Sequence, residues 1–399
     1  MSKVLIEFYS GRTNENLSSI LNEHFDKVCF LYSSAKCAPT VEKKDALSRL
    51  VKDLFGFQAK FYEIKDLSLP AALAALHKLW CDTDEFLIDI TGGDEAFIAA
   101  AGIFSAQRGA KVTLHQYDVY TGERIFRYPT AKSEEKPFPR FISAEELLSL
   151  NGAAPLEKPQ SYVFTRGPLK QEILRLWNAV KNRPKEWNRF CSLDRDPSDE
   201  NHAPTQKELE PGEGAASYQS ISARLRNVGI LSDEERICLG GRDYMKFSLN
   251  VPEEAMFLYD KAGTILEMYS ALCAGESGLF HDIRVGVKLD WDGKIANEQT
   301  PDPYNEIDLV LMQGNLPILV SCKNTVPKNE QLYEITVMAK HYGGHYATPA
   351  LFCSGNATEG VKKRADEMGV VLIDGIRYKT PEFMIPLLKK KFAIQSPLF

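Results

Sequence analysis

The chain has 399 residues, a formal net charge of −6 and a hydrophobic share of 44%. That length is worth about two or three domains, and the composition is that of a globular protein with ample apolar surface for real cores. The negative balance excludes a global field that would draw the chain to nucleic acid, so such a contact must use a local basic surface. Candidate surfaces are 181–189 (KNRPKEWNR), 362–364 and 389–391, each read first as a solvated face. The 8 cysteines include no CxxC pair, which argues against a zinc ribbon or redox motif and for reduced core thiols, as in a cytoplasm. The opening MSKVLIEFYS lacks a signal-peptide pattern, and no apolar run has the length of a membrane span, so no membrane partner is expected.

Apolar runs at 3–9, 28–32, 61–64, 86–91 and 111–119 predict strands. Between them, 13–25, 43–54, 69–79 and 94–108 predict helices. This alternation predicts an α/β fold, a Rossmann-like parallel sheet covered on both faces. Ligands of such sheets sit beyond the carboxyl ends of the strands, which singles out the loops after Tyr9 and Ile90. Residues 128–160 read as a linker holding Pro129, Pro137, Pro139, Pro155 and Pro159, with one short helix at 143–150. A helix is predicted at 169–180, a long polar loop at 183–214, a helix at 218–228 and a hairpin at 237–249 around Gly240-Gly241. Helix then hairpin suits a small winged-helix-like module or a plain connector. From 251 onward the pattern predicts a helix (262–275), strands (282–287, 306–312, 316–321), a helix (331–342), a strand (350–353), a helix (358–368) and a strand (370–373). The expected divisions are 1–130, 131–250 and 251–399.

Two constellations carry chemistry. In NEIDLVLMQGNLPILVSCKN (305–324) a strand turns at Gly314-Asn315 into a second strand, so pairing can bring Asp308 and Lys323 together. A carboxylate on a rigid strand can hold a divalent metal, and a lysine beside it can orient water and offset phosphate charge. Glu267, in the helical AGTILEMYSAL, is either a remote acid for that site or a solvated helix carboxylate. Glu306 is two residues before Asp308 and so shares its strand face; Glu334 is a weaker candidate. His341 and His345 have a zinc-like spacing, but Gly343-Gly344 interrupts the helix between them, so they read as helix-end caps. The second constellation is DITGGD (89–94), where a buried strand turns into a helix whose free N–H groups suit an anion. Ser10-Gly11-Arg12-Thr13-Asn14 adds a guanidinium and further donors. The spacing matches neither GxGxxG nor a P-loop, so dinucleotide binding and ATP hydrolysis are not supported.

The hairpin with its flanking elements, over 251–385, resembles the PD-(D/E)xK nuclease superfamily, with Ser321 standing where an acidic residue usually precedes x-Lys. Nearly the whole chain resembles the CARF nucleases (CRISPR-associated Rossmann fold) of type III CRISPR systems, with a C-terminal restriction-endonuclease-like α/β domain. That resemblance implies a homodimer that binds a cyclic oligoadenylate, commonly cyclic tetra-adenylate, and then cleaves DNA, RNA or both in antiviral defence. It implies ligand contacts from Ser10, Gly11, Arg12, Thr13, Thr91, Gly92, Gly93 and Glu95. It implies catalytic roles for Glu267, Glu306, Asp308, Ser321 and Lys323, with Mn²⁺ or Mg²⁺ held by Asp308, Glu267 and the Cys322 carbonyl. Two other readings stay open: a ligand-sensing DNA-binding regulator with an inert nuclease fold, which Ser321 favours, and a ligand-independent restriction or repair nuclease.

Overall fold

The computed structural model describes residues 2–129, 140–155, 160–161, 168–193, 206–209, 211–290 and 304–393. The first third is β1 (Lys3–Phe8), α1 (Leu17–Asn22), β2 (Lys27–Ser33), α2 (Val41–Phe55), β3 (Lys60–Ile64), α3 (Leu69–Leu79), β4 (Glu85–Asp89), α4 (Glu95–Arg108), β5 (Val112–Tyr117) and β6 (Arg124–Tyr128). These strands form one sheet in the order β3-β2-β1-β4-β5-β6, parallel except for β6. The expected Rossmann-like α/β sheet is therefore present. Its central strands are mostly apolar because both faces are covered, with Glu7 and Asp89 as buried exceptions near their carboxyl ends. Val4, Ile6, Phe8 and Ile88 pack against the helical residues Leu76, Phe97 and Phe104, while Leu5, Phe30 and Leu87 pack with Leu17, Leu47 and Val51 on the other face. The helix expected at 13–25 is shorter: Thr13–Asn16 form a 3-10 turn before α1. Its polar TNEN sequence is instead committed to contacts that reach across the molecule.

The middle of the chain contains α5 (Ala144–Leu150), β7 (Ala154–Pro155), β8 (Gln160–Ser161), α6 (Pro168–Val180), α7 (Pro184–Ser192), β9 (Gln206–Glu208), α8 (Glu213–Asn227), β10 (Leu231–Leu239) and β11 (Arg242–Leu249). Here the sequence expectations need correction. The proline-rich linker supplies two edge strands, since β7 and β8 both pair with β12 (Asp282–Asp290). The loop expected at 183–214 holds α7, β9 and the start of α8. Helix α7 is nine residues of mainly polar sequence with Trp187 and Phe190 as its buried residues, set within a longer polar run, so composition reads it as loop; Pro184 in its first turn fixes the start. Pro137, Pro139, Pro159 and 194–205 lie outside the described residues. The hairpin around Gly240-Gly241 is present, with β9 added as a third strand.

The last third is α9 (Thr264–Ser277), β12, β13 (Tyr304–Gln313), β14 (Leu316–Lys323), α10 (Asn329–Met338), β15 (Thr348–Cys353), α11 (Glu359–Met368), β16 (Val371–Ile373) and α12 (Pro381–Lys391). The sheet order is β16-β15-β14-β13-β12-β7, antiparallel through β12, β13 and β14 and parallel from β14 to β16. Helix α12 and strand β6 were not expected. His341 lies in a π-helical turn, Ala339–Gly343, that continues α10, with its ring edge-on to Tyr342; His345 lies beyond it with its ring edge-on to Tyr346.

Two cores tie the thirds together. One joins Trp177, Trp187, Phe190, Tyr218 and Phe247 to Leu266, Leu309, Val320 and Phe352, so the middle segment packs on the C-terminal sheet. The other runs from Leu5 and Phe30 through Leu147 and Leu148 of α5 to Leu319, Leu332 and Leu351. None of the eight cysteines is joined in a disulfide. Among the described residues no helix is long and apolar enough to cross a membrane.

Candidate functional site

At the carboxyl ends of β1, β2 and β4 lies a cavity of about 220 Å³. Ser10, Arg12, Gly93 and Glu95 line it, as the two loops suggested, together with Tyr9, Ser33, Lys36, Cys37 and Asp94. Ser33 ends β2, and Lys36 and Cys37 follow it; β2 lies beside β1 in the sheet. From the sequence only the loops after Tyr9 and Ile90 stand out; the strand order, β2 beside β1, brings this third loop to the cavity. Lys36 pairs with Asp94, the side-chain cap of α4. The other expected ligand residues do not line the cavity. The Thr13 hydroxyl donates to the Leu150 carbonyl (3.4 Å), and the Thr91 hydroxyl accepts from the Tyr117 N–H (2.9 Å). Gly92 leaves room for Glu15, because a β-carbon there would lie 2.5 Å from Glu15 Oε2.

Beneath the turn two acids are buried, Glu7 and Asp89. Burial pushes the Asp89 carboxyl up to about 6, although the Ser19 hydroxyl and the Thr91 N–H both donate to it. Burial, with Asp89 beside it, raises Glu7 further, so one buried pair holds the turn in place without two full charges.

Glu15 is the node that leaves this pocket. It is buried, and its carboxylate accepts from Ser10 Oγ (3.0 Å), Arg12 Nη1 (3.2 Å) and Tyr346 Oη (2.8 Å). Tyr346 belongs to the loop before β15, in the other sheet. Its neighbour Asn14 donates to the carbonyl of Asn315 (2.8 Å), in the turn between β13 and β14. The Asn315 side chain in turn accepts from the Ile142 N–H (2.9 Å). The loop at the first pocket therefore touches the hairpin that carries the second constellation.

That second constellation does assemble. The β12–β13 ladder keeps one register but has no pair at Gly286 and Asp308. Gly286 there has φ +60°, a left-handed conformation that suits glycine. Ile307 packs in one core and Leu309 in the other, so the strand's faces exchange at Asp308. The β13–β14 ladder also stops at Leu309–Val320. Asp308 Oδ2 instead accepts from the Cys322 N–H (2.5 Å) and from Ser321 Oγ (3.3 Å). The serine that departs from the expected acidic triplet thus braces Asp308. Interrupting a ladder to re-aim one side chain is a recurrent device beside functional sites.

Glu267, in the first turn of α9, lies in the field of Asp308 and Glu306. Burial first, then those two carboxylates, pushes its carboxyl up to about 8, against the pull of Lys261 and Lys323. Burial also raises Asp308, opposed by the Cys322 N–H and Lys323. Glu306 is exposed at the rim, and Cys322 is a buried thiol whose contribution is its backbone N–H. Gly263 makes room for the Glu267 carboxylate, since a β-carbon there would lie 2.8 Å from Oε1. Among the described residues no group of three or more His, Cys, Asp or Glu side chains is placed to hold a metal ion by itself. The donor set fits a hard cation that keeps water and phosphate in its shell and needs one or two carboxylates. The charges of Asp308 and Glu306 oppose ionisation of Glu267, and Asp308 Oδ1 accepts no hydrogen bond from the described residues.

A consequence for stability follows. With its pKa raised in the fold, Glu267 favours folding fully below its ordinary value of 4.5 and loses that contribution as pH rises through about 8. The metal-free chain should therefore melt lower at about pH 9 than at about pH 6. Glu267→Gln should flatten that difference and stabilise the chain at the higher pH by roughly 1–2 kcal/mol, read by denaturant titration.

The sheets and the two sites define a class: a Rossmann-like sheet with a pocket at its strand ends, joined through a helical segment to a second α/β unit with an acid-and-lysine cluster. Solved structures of that fold exist. The chain is similar to the protein VC1899 from Vibrio cholerae, with TM-score 0.73 and 14% identity over 98% of both chains. It is similar to Can2 from Sulfobacillus thermosulfidooxidans, solved in complex with cyclic tetra-adenylate, with TM-score 0.65 and 13% identity over 99% of this chain and 100% of that one. A type III CRISPR defence DNA nuclease activated by cyclic oligoadenylate gives TM-score 0.51 and 14% identity, and the chain spans 52% of its length. No protein-family model and no curated protein sequence matches the chain.

Proposed function

We propose that this chain is a nuclease of prokaryotic antiviral defence, switched on by a cyclic oligoadenylate and dependent on Mn²⁺ or Mg²⁺. The observation that carries this reading is that Asn14 and Glu15 tie an anion-suited pocket to Asn315 and Tyr346, at the turn end of the β13–β14 hairpin whose other end presents Asp308 and Lys323 beside Glu267. The fold shared with Can2, which was solved with cyclic tetra-adenylate, supports that ligand class.

In this reading the N-terminal unit spans 1–130, the connector 131–250 and the catalytic unit 251–399. Arg12, Lys36 and the first N–H groups of α4 take a ligand phosphate, which draws Arg12 from Glu15 and Lys36 from Asp94. The cavity is smaller than the roughly 300–1,000 Å³ of a complete small-molecule site. One chain thus supplies half a site. The exposed face of α4, formed by Ile98, Ala99, Gly102, Ile103 and Ala106, carries no charge and begins next to Glu95 at the pocket. A second copy packed there about a two-fold axis sets two half-sites together.

At the other site Asp308 and Glu267 would hold the cation, with the Cys322 carbonyl as the backbone donor. Ser321 and the Cys322 N–H fix the Asp308 carboxylate. Lys323 orients the attacking water on a DNA or RNA strand and offsets charge as it grows on the phosphate. The cation, when bound, supplies Lewis-acid polarisation of the phosphodiester.

Gly263→Ala should swing the Glu267 carboxylate out of place while the fold holds, because only the end of a flexible side chain meets the new methyl. Cutting should fall about tenfold or more, with the melting temperature nearly unchanged. The decisive experiment is cleavage of single-stranded DNA, supercoiled plasmid and RNA with Mn²⁺, with and without cyclic tetra-adenylate. Cutting that needs the ligand establishes the proposal. Cutting that ignores it points to a restriction or repair enzyme. Tight ligand binding without cutting points to an inert regulator, the reading that Ser321 favours.

A further inference from the structure

The acid on α9 and the lysine at the end of β14 come from different elements, and no strand ladder spaces them. Lys323 is the last residue of its strand, and Glu267 sits in the first turn of a helix that is not part of the sheet. A catalytic constellation tolerates only about half an ångström of error, so something must fix that spacing.

Helix α7 touches both sides with two consecutive residues. Trp187 Nε1 donates to the carbonyl of Ala262 (3.0 Å), in the loop that leads into α9. Asn188 faces Asn324, the residue after Lys323: Asn324 Nδ2 donates to Asn188 Oδ1 (3.1 Å), and Asn188 Nδ2 donates to the Asn324 carbonyl (3.5 Å). The helix itself is firmly seated. Trp187 is fully buried and stacks on Phe190 (5.8 Å), which packs on Tyr218 of α8 and Phe247 of β11. The Cys191 carbonyl near its end accepts from the buried Lys207 ammonium (3.3 Å).

We infer that α7 is a clamp across the site, and that Asn188 is a positioning residue that holds Lys323 in register with Glu267 by way of Asn324. The inference rests on the nuclease reading for its catalytic consequence, but the clamp is a physical claim in its own right. It also gives the connector a defined task. Any displacement of α7 with the α8–β10–β11 module moves the lysine side and the glutamate side of the site together.

The test uses the full chain with Asn188→Leu, which keeps the branched outline of the side chain and removes both amide bonds, with Asn324→Ala, and with the double variant. Wild type and Asp308→Asn run alongside. With Mn²⁺ and cyclic tetra-adenylate, Asn188→Leu should lower kcat by about tenfold to a hundredfold with KM within about twofold. The double variant should be no slower than the slower single one, since both changes break one bond pair. Unchanged kcat, additive losses, or a kcat that falls only as the folded fraction falls would overturn the inference. Backbone hydrogen exchange on the same proteins provides the arm that does not depend on cutting. Protection at 264–267 and at 322–325 should drop together in Asn188→Leu, and unchanged protection overturns the clamp. A wild type that cuts nothing removes the functional reading alone, and the exchange result then decides the clamp.

Discussion

Asp308→Asn is expected to lower Mn²⁺-dependent cutting by about a thousandfold while leaving the affinity for cyclic tetra-adenylate unchanged. Asparagine keeps an oxygen to accept the Cys322 N–H and the Ser321 hydroxyl, so the interrupted ladder retains its brace. What disappears is the charge. Loss of that charge also relieves Glu267, whose pKa should fall from its raised value because Asp308 is the largest charge acting on it. The variant should therefore bind Mn²⁺ more weakly, and its metal-free form should lose less stability between about pH 6 and pH 9 than the wild type. Calorimetric metal titration, a plasmid-nicking time course and ligand binding on one preparation separate these effects. A fully active Asp308→Asn chain would remove Asp308 from the site altogether.

Tyr346→Phe is the second large expectation. Its hydroxyl donates to the Glu15 carboxylate, which also holds Ser10 and Arg12. Burial and the Glu15 charge both raise the Tyr346 pKa, so the phenol remains a donor throughout the working pH range. A hydrogen bond to a charged group contributes about 1.5–3 kcal/mol. We take this bond to hold the resting arrangement, because a phosphate at Arg12 and Ser10 competes with that carboxylate for the same donors. Removing the hydroxyl should then raise ligand-free cutting by about tenfold or more. By reciprocity it should tighten ligand binding by a similar factor. Weaker ligand-dependent cutting with unchanged basal activity would assign the bond to the activated arrangement instead.

Much of the fold was legible because the signals are local. The β-α alternation of the first third, the turn at Gly314-Asn315 and the run of elements after 251 each show in the spacing of apolar residues and turn residues. Asp308, Ser321 and Lys323 could be singled out because a hairpin pairs residues close in sequence. Glu267 was legible only as an acid on a helix; its raised pKa belongs to the packing that buries it beside Asp308 and Glu306. Helix α7 escaped because it is only nine residues long and polar on average, with Pro184 at its start and a polar run around it. Thr13 and Thr91 carry hydroxyls in the expected loops, yet those hydroxyls bond to Leu150 and Tyr117, a choice made by neighbours that the loop sequence does not contain.

The sequence by itself determined the alternation of strands and helices, the Rossmann-like class of the first sheet and the hairpin that presents the acid and the lysine, because periodicity and turn chemistry act over a few residues. Only the tertiary structure decided what meets across the chain. It set Glu15 against Tyr346, 331 residues away, and Asn188 against Asn324, 136 away. It also brought the loop after β2 to the pocket. Such contacts depend on strand order and on which faces the cores bury together, and those follow from the packing of the whole molecule.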